Sequence, residues 1–198
     1  MNHPTAGQRR FMLKQATATA HSALDRAVNA LDLADPLGYL AFLEASASAL
    51  LPLEQLLADS DVEILLPDWS SRRRSDHLRT DLAILGGVHD YVELDRHVLT
   101  PPETLGVLYV LEGSRLGAQV IVERLPADVP TRRYLSASDT KLWLAFLRCL
   151  ESPSAPWDDG ATIAAARWAF TVFQHAFRVY GANLQSALLR NLVVKVAR

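Results

Sequence analysis

Cysteine occurs once in the 198 residues, at position 149, so no internal disulfide can form and metal sites built from several thiolates are excluded. Neither sign of charge is in excess: 20 Lys and Arg stand against 22 Asp and Glu. A protein whose main partner is nucleic acid normally shows strong net basicity, because phosphate contacts dominate its affinity. Long unbroken apolar runs are missing too. In residues 105–125, Glu112, Arg115, Gln119 and Glu123 interrupt the apolar segment, and no run reaches the ~18 apolar residues a membrane span requires. No apolar stretch follows the charges of the first ten residues, so a secretory leader is not expected and a cytoplasmic location is. The period-two alternation of strands is also absent, and the sequence holds no internal repeat and no dinucleotide-binding fingerprint.

What is present is helical periodicity. Hydrophobic residues make up 49% of the chain, ample for one core, and a single all-α domain over residues 1–198 is the economical reading, with 1–8 and about 183–198 as candidate tails. Leu13, Ala16, Ala20, Leu24 and Ala27 stripe a first helix over residues 7–30. Asp35 and Pro36 start a second, which Pro52 is expected to bend or break. A helix over 75–85 closes at Gly86 and Gly87, and a short apolar segment near 91–98 is a further candidate. Thr100, Pro101 and Glu103 form a capping box opening a helix that Pro126 ends. Asp139 begins another to about Leu150, and Asp158 and Asp159 begin one to Tyr180, before Gly181 and a last helical segment over 183–196.

The helix opened by Thr100 contains Gly106, Gly113 and Gly117, nearly on one face, although each glycine costs about 1 kcal/mol against alanine in a helix interior. Such a face serves close approach, either of a second helix or of something flat lying against bare backbone. Gly106→Ala is expected mainly to gain helix propensity.

His21 lies beside the stripe of the first helix, with Lys14 two turns before it and Asp25 one turn after it on one line. Of the other histidines, His3 is terminal, while His77, His89 and His97 read as solvated. A neutral imidazole can ligate a heme iron, a carboxylate one turn away can orient it through the other ring nitrogen, and a lysine can reach a propionate. A surface ion-pair line of Lys14, His21 and Asp25 has the same spacing.

The stretch LKQATATAH at 13–21 followed by Asp25, together with LYVLEGSRLG at 108–117, resembles the heme oxygenase family in its bacterial branch. The arginine–leucine–glycine pattern of 74–86 and the stretch ARWAF at 166–170 resemble further family segments, so the similarity runs from about residue 10 to 180. The resemblance implies a helical bundle with heme sandwiched between a proximal and a kinked distal helix. It makes His21 the iron ligand, Asp25 its hydrogen-bond partner and Lys14 a propionate partner. Gly113 and Gly117 become the distal backbone over the iron, with Tyr109 and Arg148 as further propionate contacts. Phe170, Phe173 and Phe177 would wall the macrocycle, although a helix core has the same spacing. Animal-type enzymes carry aspartate after the first distal glycine, where this chain has Ser114. Serine can hydrogen-bond but holds no carboxylate charge. Ser114, Glu112 and Gln119 are therefore all candidates to organise distal waters.

The activity implied is O2-dependent opening of heme to biliverdin, carbon monoxide and iron, heme being both substrate and cofactor. Electrons would come from a donor protein, a ferredoxin or an NAD(P)H reductase system, and the runs 72–74 and 9–10 are basic enough to attract an acidic one. Two other readings share the architecture: a heme carrier or sensor without turnover, for which Ser114 argues, and a thiaminase-like helical enzyme, which needs a catalytic cysteine in a constellation that Cys149 lacks.

Overall fold

The structure is a computed structural model, and it describes residues 7–96 and 98–196, with 187–196 as backbone only. His3 and His97 lie outside the described residues. Eight α-helices follow in order: α1 (Gln8–Asn29), α2 (Pro36–Ala58), α3 (Trp69–Arg72), α4 (Ser75–Leu85), α5 (Pro101–Val122), α6 (Arg133–Ser136), α7 (Thr140–Leu150) and α8 (Asp159–Val196), with a 3-10 turn at Val62–Ile64. The described residues contain no strand.

α8 is the axis on which α5, α2 and α1 pack. Its inward positions include Ala165, Ala166, Ala169 and Ala176, all fully buried, and side chains this short let the neighbouring backbones come close. α2 and α5 are long and apolar enough to cross a membrane by composition, yet most of α2 is inside the bundle as its core. Leu43, Leu50, Leu53 and Leu57 of α2 meet Leu105 and Leu108 of α5 in that one core, all fully buried.

The start signals behave as the side chains require. The Asp35 carboxylate accepts from the amides of Leu37 and Gly38, Asp139 accepts from Lys141, and Glu103 accepts from the Thr100 amide at 2.8 Å to close the capping box. Gly86 ends α4 at φ +69°, the left-handed region that favours glycine.

Two expected breaks do not occur. α2 runs through Pro52 to Ala58, and the carbonyl of Ser48, whose helical donor proline removes, accepts the amide of Val92 at 2.9 Å instead. Proline's missing hydrogen bond thus becomes the anchor of the 88–93 loop. α8 likewise continues through Gly181 to Val196, because one glycine costs too little to end a helix packed over so many turns. The segment expected near 91–98 is irregular chain over its described residues.

Candidate functional site

α1 is held in place from outside its own helix. Glu151 receives the amides of Arg9 and Arg10, and the Arg9 guanidinium donates to the carbonyls of Leu150 and Ser152 at 2.8 and 2.7 Å, which fastens the start of α1 to the end of α7. From α8, Arg167 donates to the Ala16 carbonyl and Gln174 to that of Ala20, at 2.8 and 2.7 Å. The turn carrying His21 is therefore fixed against α8. Its Nδ1 lies 2.8 Å from an Asp25 carboxylate oxygen, and with the side chains 62% and 57% exposed the pair faces outward rather than into the core. A proton on Nδ1 bonded to the carboxylate leaves the Nε2 lone pair free. Phe170 meets the His21 ring edge-on, centroids 5.7 Å apart.

α1 and α5 both lie along α8 and are joined at two places. Near one end Tyr109 lies by Thr17; burial raises the pKa of its hydroxyl, opposed by Thr17 and the charge of Arg10. Just past the other end, Arg124 donates to the Asn29 side chain at 2.6 Å. Thr17 and Asn29 are separated by about 18 Å along the α1 axis at 1.5 Å per residue. Helical spacing places His21, Leu24, Asp25 and Val28 on one face of α1, and Gly113, Leu116, Gly117 and Val120 on one face of α5. Leu116 and Val120 are exposed, at 39% and 51%, where a close-packed pair of helices would bury them. Their exposure, with the bare backbone between them, marks the face between α1 and α5 as the candidate slot.

The three glycines divide by what faces them. A Cβ on Gly106 would come within 2.9 Å of the Ala166 amide nitrogen and 3.0 Å of the Ala165 methyl, and nearer still to the Thr162 carbonyl oxygen. Here α5 and α8 cross backbone to backbone. On Gly113 a Cβ would meet only the Trp143 ring, at 3.6 and 3.8 Å, and on Gly117 nothing within 4 Å. Gly106 thus serves helix packing, which overturns the expectation that alanine would be welcome there, while Gly113 and Gly117 border the slot.

Ser114 faces away from the slot: its hydroxyl donates to the Leu111 carbonyl at 2.7 Å and accepts from Arg74 at 2.8 Å. Glu112 is 1% exposed and engaged by Arg72 and Arg115, and Gln119 reaches the Ser138 carbonyl at 3.4 Å. None of the three presents a free group to the slot. Lys14 is exposed and has no partner among the described residues, one turn after Arg10, whose guanidinium stands over the Trp143 ring at 5.9 Å. Arg148 is exposed, with only the Leu144 carbonyl at 3.5 Å, and no contact brings it to the slot. Phe170, Phe173 and Phe177 are core side chains, Phe177 packing on Phe42 at 5.7 Å.

Sequence reasoning missed several residues. Arg9, Arg72 and Arg74 are buried in hydrogen-bonded sites rather than forming a solvated basic patch, which leaves Arg10 and Arg73 as the more accessible members of those runs. Glu112 and Arg115 within an apolar helix were the signal for their partner. Trp143 and Thr17, which border the Tyr109 end of the slot, gave none. His89 is half-buried, its pKa lowered by burial and then by the charge of Arg79, and it stacks edge-on with Tyr91 beside a cavity of about 540 Å³ formed by α2, α8 and the 88–93 loop. That cavity is lined by none of the residues of the candidate slot.

No family model matches the chain. Heme oxygenase PigA of Pseudomonas aeruginosa is 40% identical over 79 residues, 38% of this chain and 39% of that protein. A heme oxygenase of Xanthomonas campestris pv. campestris is 33% identical over 109 residues, 50% of this chain and 62% of that protein. The aligned stretches thus span about two fifths and three fifths of those curated relatives. The heme oxygenase of Neisseria meningitidis, solved with NO and CO bound, superposes with a TM-score of 0.64 at 23% identity, over 86% of this chain and 90% of that one. The chain has the heme oxygenase fold and is similar in sequence to bacterial heme oxygenases.

Proposed function

We propose that the slot between α1 and α5 binds heme and that the chain opens the macrocycle to biliverdin, carbon monoxide and iron, with O2 and electrons from an external donor. One observation carries this reading: an imidazole with one nitrogen held by Asp25 and the other free stands across a slot from a helix face lacking side chains at Gly113 and Gly117. The residues fit the group. Bound heme supplies both the iron that activates O2 and the carbon framework that is cleaved.

The chain's own share follows from its atoms. Nε2 of His21 is the iron ligand, and Asp25 keeps the Nδ1 proton in place, which fixes tautomer and ring orientation and raises ligand basicity. Lys14, exposed, and Tyr109 would take the propionates, with Arg10 beside them. Leu24, Val28, Leu116 and Val120 exclude water from the macrocycle faces, which strengthens every polar interaction inside. Bare backbone at Gly113 and Gly117 leaves room for a diatomic molecule and offers only main-chain groups.

The outward turn of Ser114 also favours a second reading, a heme carrier or sensor without turnover. Titration of heme into the protein, resonance Raman of the complex and incubation with ascorbate or a ferredoxin system in air test both. The expected result is one-to-one binding, an iron–histidine stretch that His21→Ala abolishes, and a bilin band rising as the heme bands decay. Heme that persists under several donors establishes the carrier. A parental stretch in His21→Ala removes the assignment altogether.

A further inference from the structure

The outer side of α5, opposite the packing of a simple apolar bundle, carries a buried chain of charges. Glu112, Arg72 and Arg115 are 1%, 2% and 2% exposed. Arg72 donates to Glu112 at 2.8 Å, to Asp68 at 2.7 Å and to the Leu142 carbonyl at 3.0 Å. Arg115 grips both oxygens of the same carboxylate, at 2.9 and 3.1 Å, and extends to the carbonyls of Arg72 at 2.6 Å and Ala137 at 3.1 Å. One carboxylate thus ties α5 to α3, to α7 and to the segment after α6. Charges this deep carry a desolvation penalty that apolar side chains of similar size avoid, so stability alone is a poor reason for them. Their location supplies a better one. Glu112 and Arg115 flank Gly113 and Ser114, on the first of the two turns of α5 that present bare backbone at the slot. Glycine offers no side chain at either position by which the backbone could be held.

We propose that Glu112 is a positioning residue that sets the roll and depth of α5 at Gly113 and Gly117, working through Arg72 and Arg115 from behind the helix. Its carboxylate touches nothing in the slot. A helix rolls about its axis easily when only apolar contacts oppose it, whereas a carboxylate gripped by the Arg115 fork and by one N–H of Arg72 has one low-energy orientation. This rests on the proposed heme site for its purpose, but not for its geometry.

Two substitutions test it. Glu112→Gln keeps size and removes charge; Glu112→Asp keeps charge and draws the carboxylate back by one methylene. In the ligand-free proteins, amide exchange at 113–117 should rise roughly tenfold while core amides of α2 and α8 keep parental rates, the mark of a local rather than global opening. In the heme complexes the iron–histidine stretch should stay parental, while the pH at which the ferric spectrum switches between its acid and alkaline forms should move by about half a unit or more. Rescue should be graded, with Asp closer to the parent than Gln. Parental exchange and parental spectra in both variants overturn the proposal. So does uniform acceleration across all core amides, or failure of both to fold, since either makes the network a general stabiliser. If the parent takes up no heme, the proposed function falls, and exchange in the ligand-free protein still decides the positioning role.

Discussion

Alanine at Gly106 and alanine at Gly117 are the same chemical change in the same helix, and the structure gives them opposite signs. Each gains about 1 kcal/mol of helix propensity. At Gly117 nothing lies within 4 Å of the new methyl, so that gain stands alone and the protein should be stabilised by about 0.5–1 kcal/mol. At Gly106 the methyl would stand 2.9 Å from the Ala166 amide nitrogen and closer to the Thr162 carbonyl oxygen, all backbone, so no rotamer change relieves it. α5 and α8 must separate by several tenths of an ångström or more along their closest contact. Overpacking of that kind costs about 1–3 kcal/mol, and loss of contacts between the fully buried Leu105, Ala165 and Ala166 pushes the figure to the upper end. The net expectation is destabilisation of about 1–2 kcal/mol at Gly106, a split of about 2–3 kcal/mol between the variants. Urea unfolding followed by far-UV circular dichroism reads it directly, and for a domain of this size the melting temperatures should part by roughly 4–10 °C. A Gly106→Ala protein as stable as the parent would refute the backbone crossing on which the division of the glycines rests. Heme affinity should move the other way: Gly117→Ala, though more stable, narrows the slot and should bind heme or O2 less well.

Asp25→Asn should leave the fold unchanged but weaken the iron–histidine bond, seen as a lower Raman stretch, because an amide oxygen accepts the Nδ1 proton less strongly than a carboxylate. Thr100→Ala removes one half of the capping box and should cost about 1 kcal/mol in urea unfolding. His89 titrates below its ordinary value because of burial and then Arg79, so the unfolded chain binds its proton more readily. Its contribution to stability is then complete above about pH 6.5 and falls as pH drops below that value. His89→Gln should flatten that part of the stability–pH curve, and an unchanged slope between pH 5 and 7 would discount the burial of the ring. Pro52→Ala should restore a donor for the Ser48 carbonyl and gain up to about 3 kcal/mol of helix propensity, while faster exchange of the Val92 amide reports a loosened 88–93 loop.

Helix starts were legible because their determinants are local. Asp35, Thr100 with Glu103, and Asp139 each satisfy amides within three residues, so the sequence contains both partners. Two of the failures involve partners remote in sequence. Pro52 does not break α2 because its freed carbonyl finds Val92, 44 residues from Ser48. The basic run at 72–74 read as a surface because two of its three guanidiniums find Glu112, Leu111 and Ser114 only after α3 folds against α5.

The glycines show where the same limit applies to the site. Spacing in sequence places Gly106, Gly113 and Gly117 on one face of a helix, and the structure agrees. Spacing says nothing about how far away the neighbouring element is. α8 touches α5 at Gly106 through Thr162 and Ala166, and by Gly117 the same face has no neighbour within 4 Å. α1 is held off that face by the Thr17–Tyr109 and Asn29–Arg124 ties at its ends. Divergence of two helices, rather than glycine itself, therefore makes the slot; glycine at 113 and 117 keeps it from being filled. The histidine completes the argument from the opposite wall. Lys14, His21 and Asp25 would read alike on any solvated helix, and only the slot beside them separates a ligand from an ion pair. The substitution that fills the slot without touching His21 is Gly117→Leu. It should leave the His21–Asp25 pair and the helical spectrum intact while abolishing bilin formation. Parental bilin yield from that variant would place the heme elsewhere.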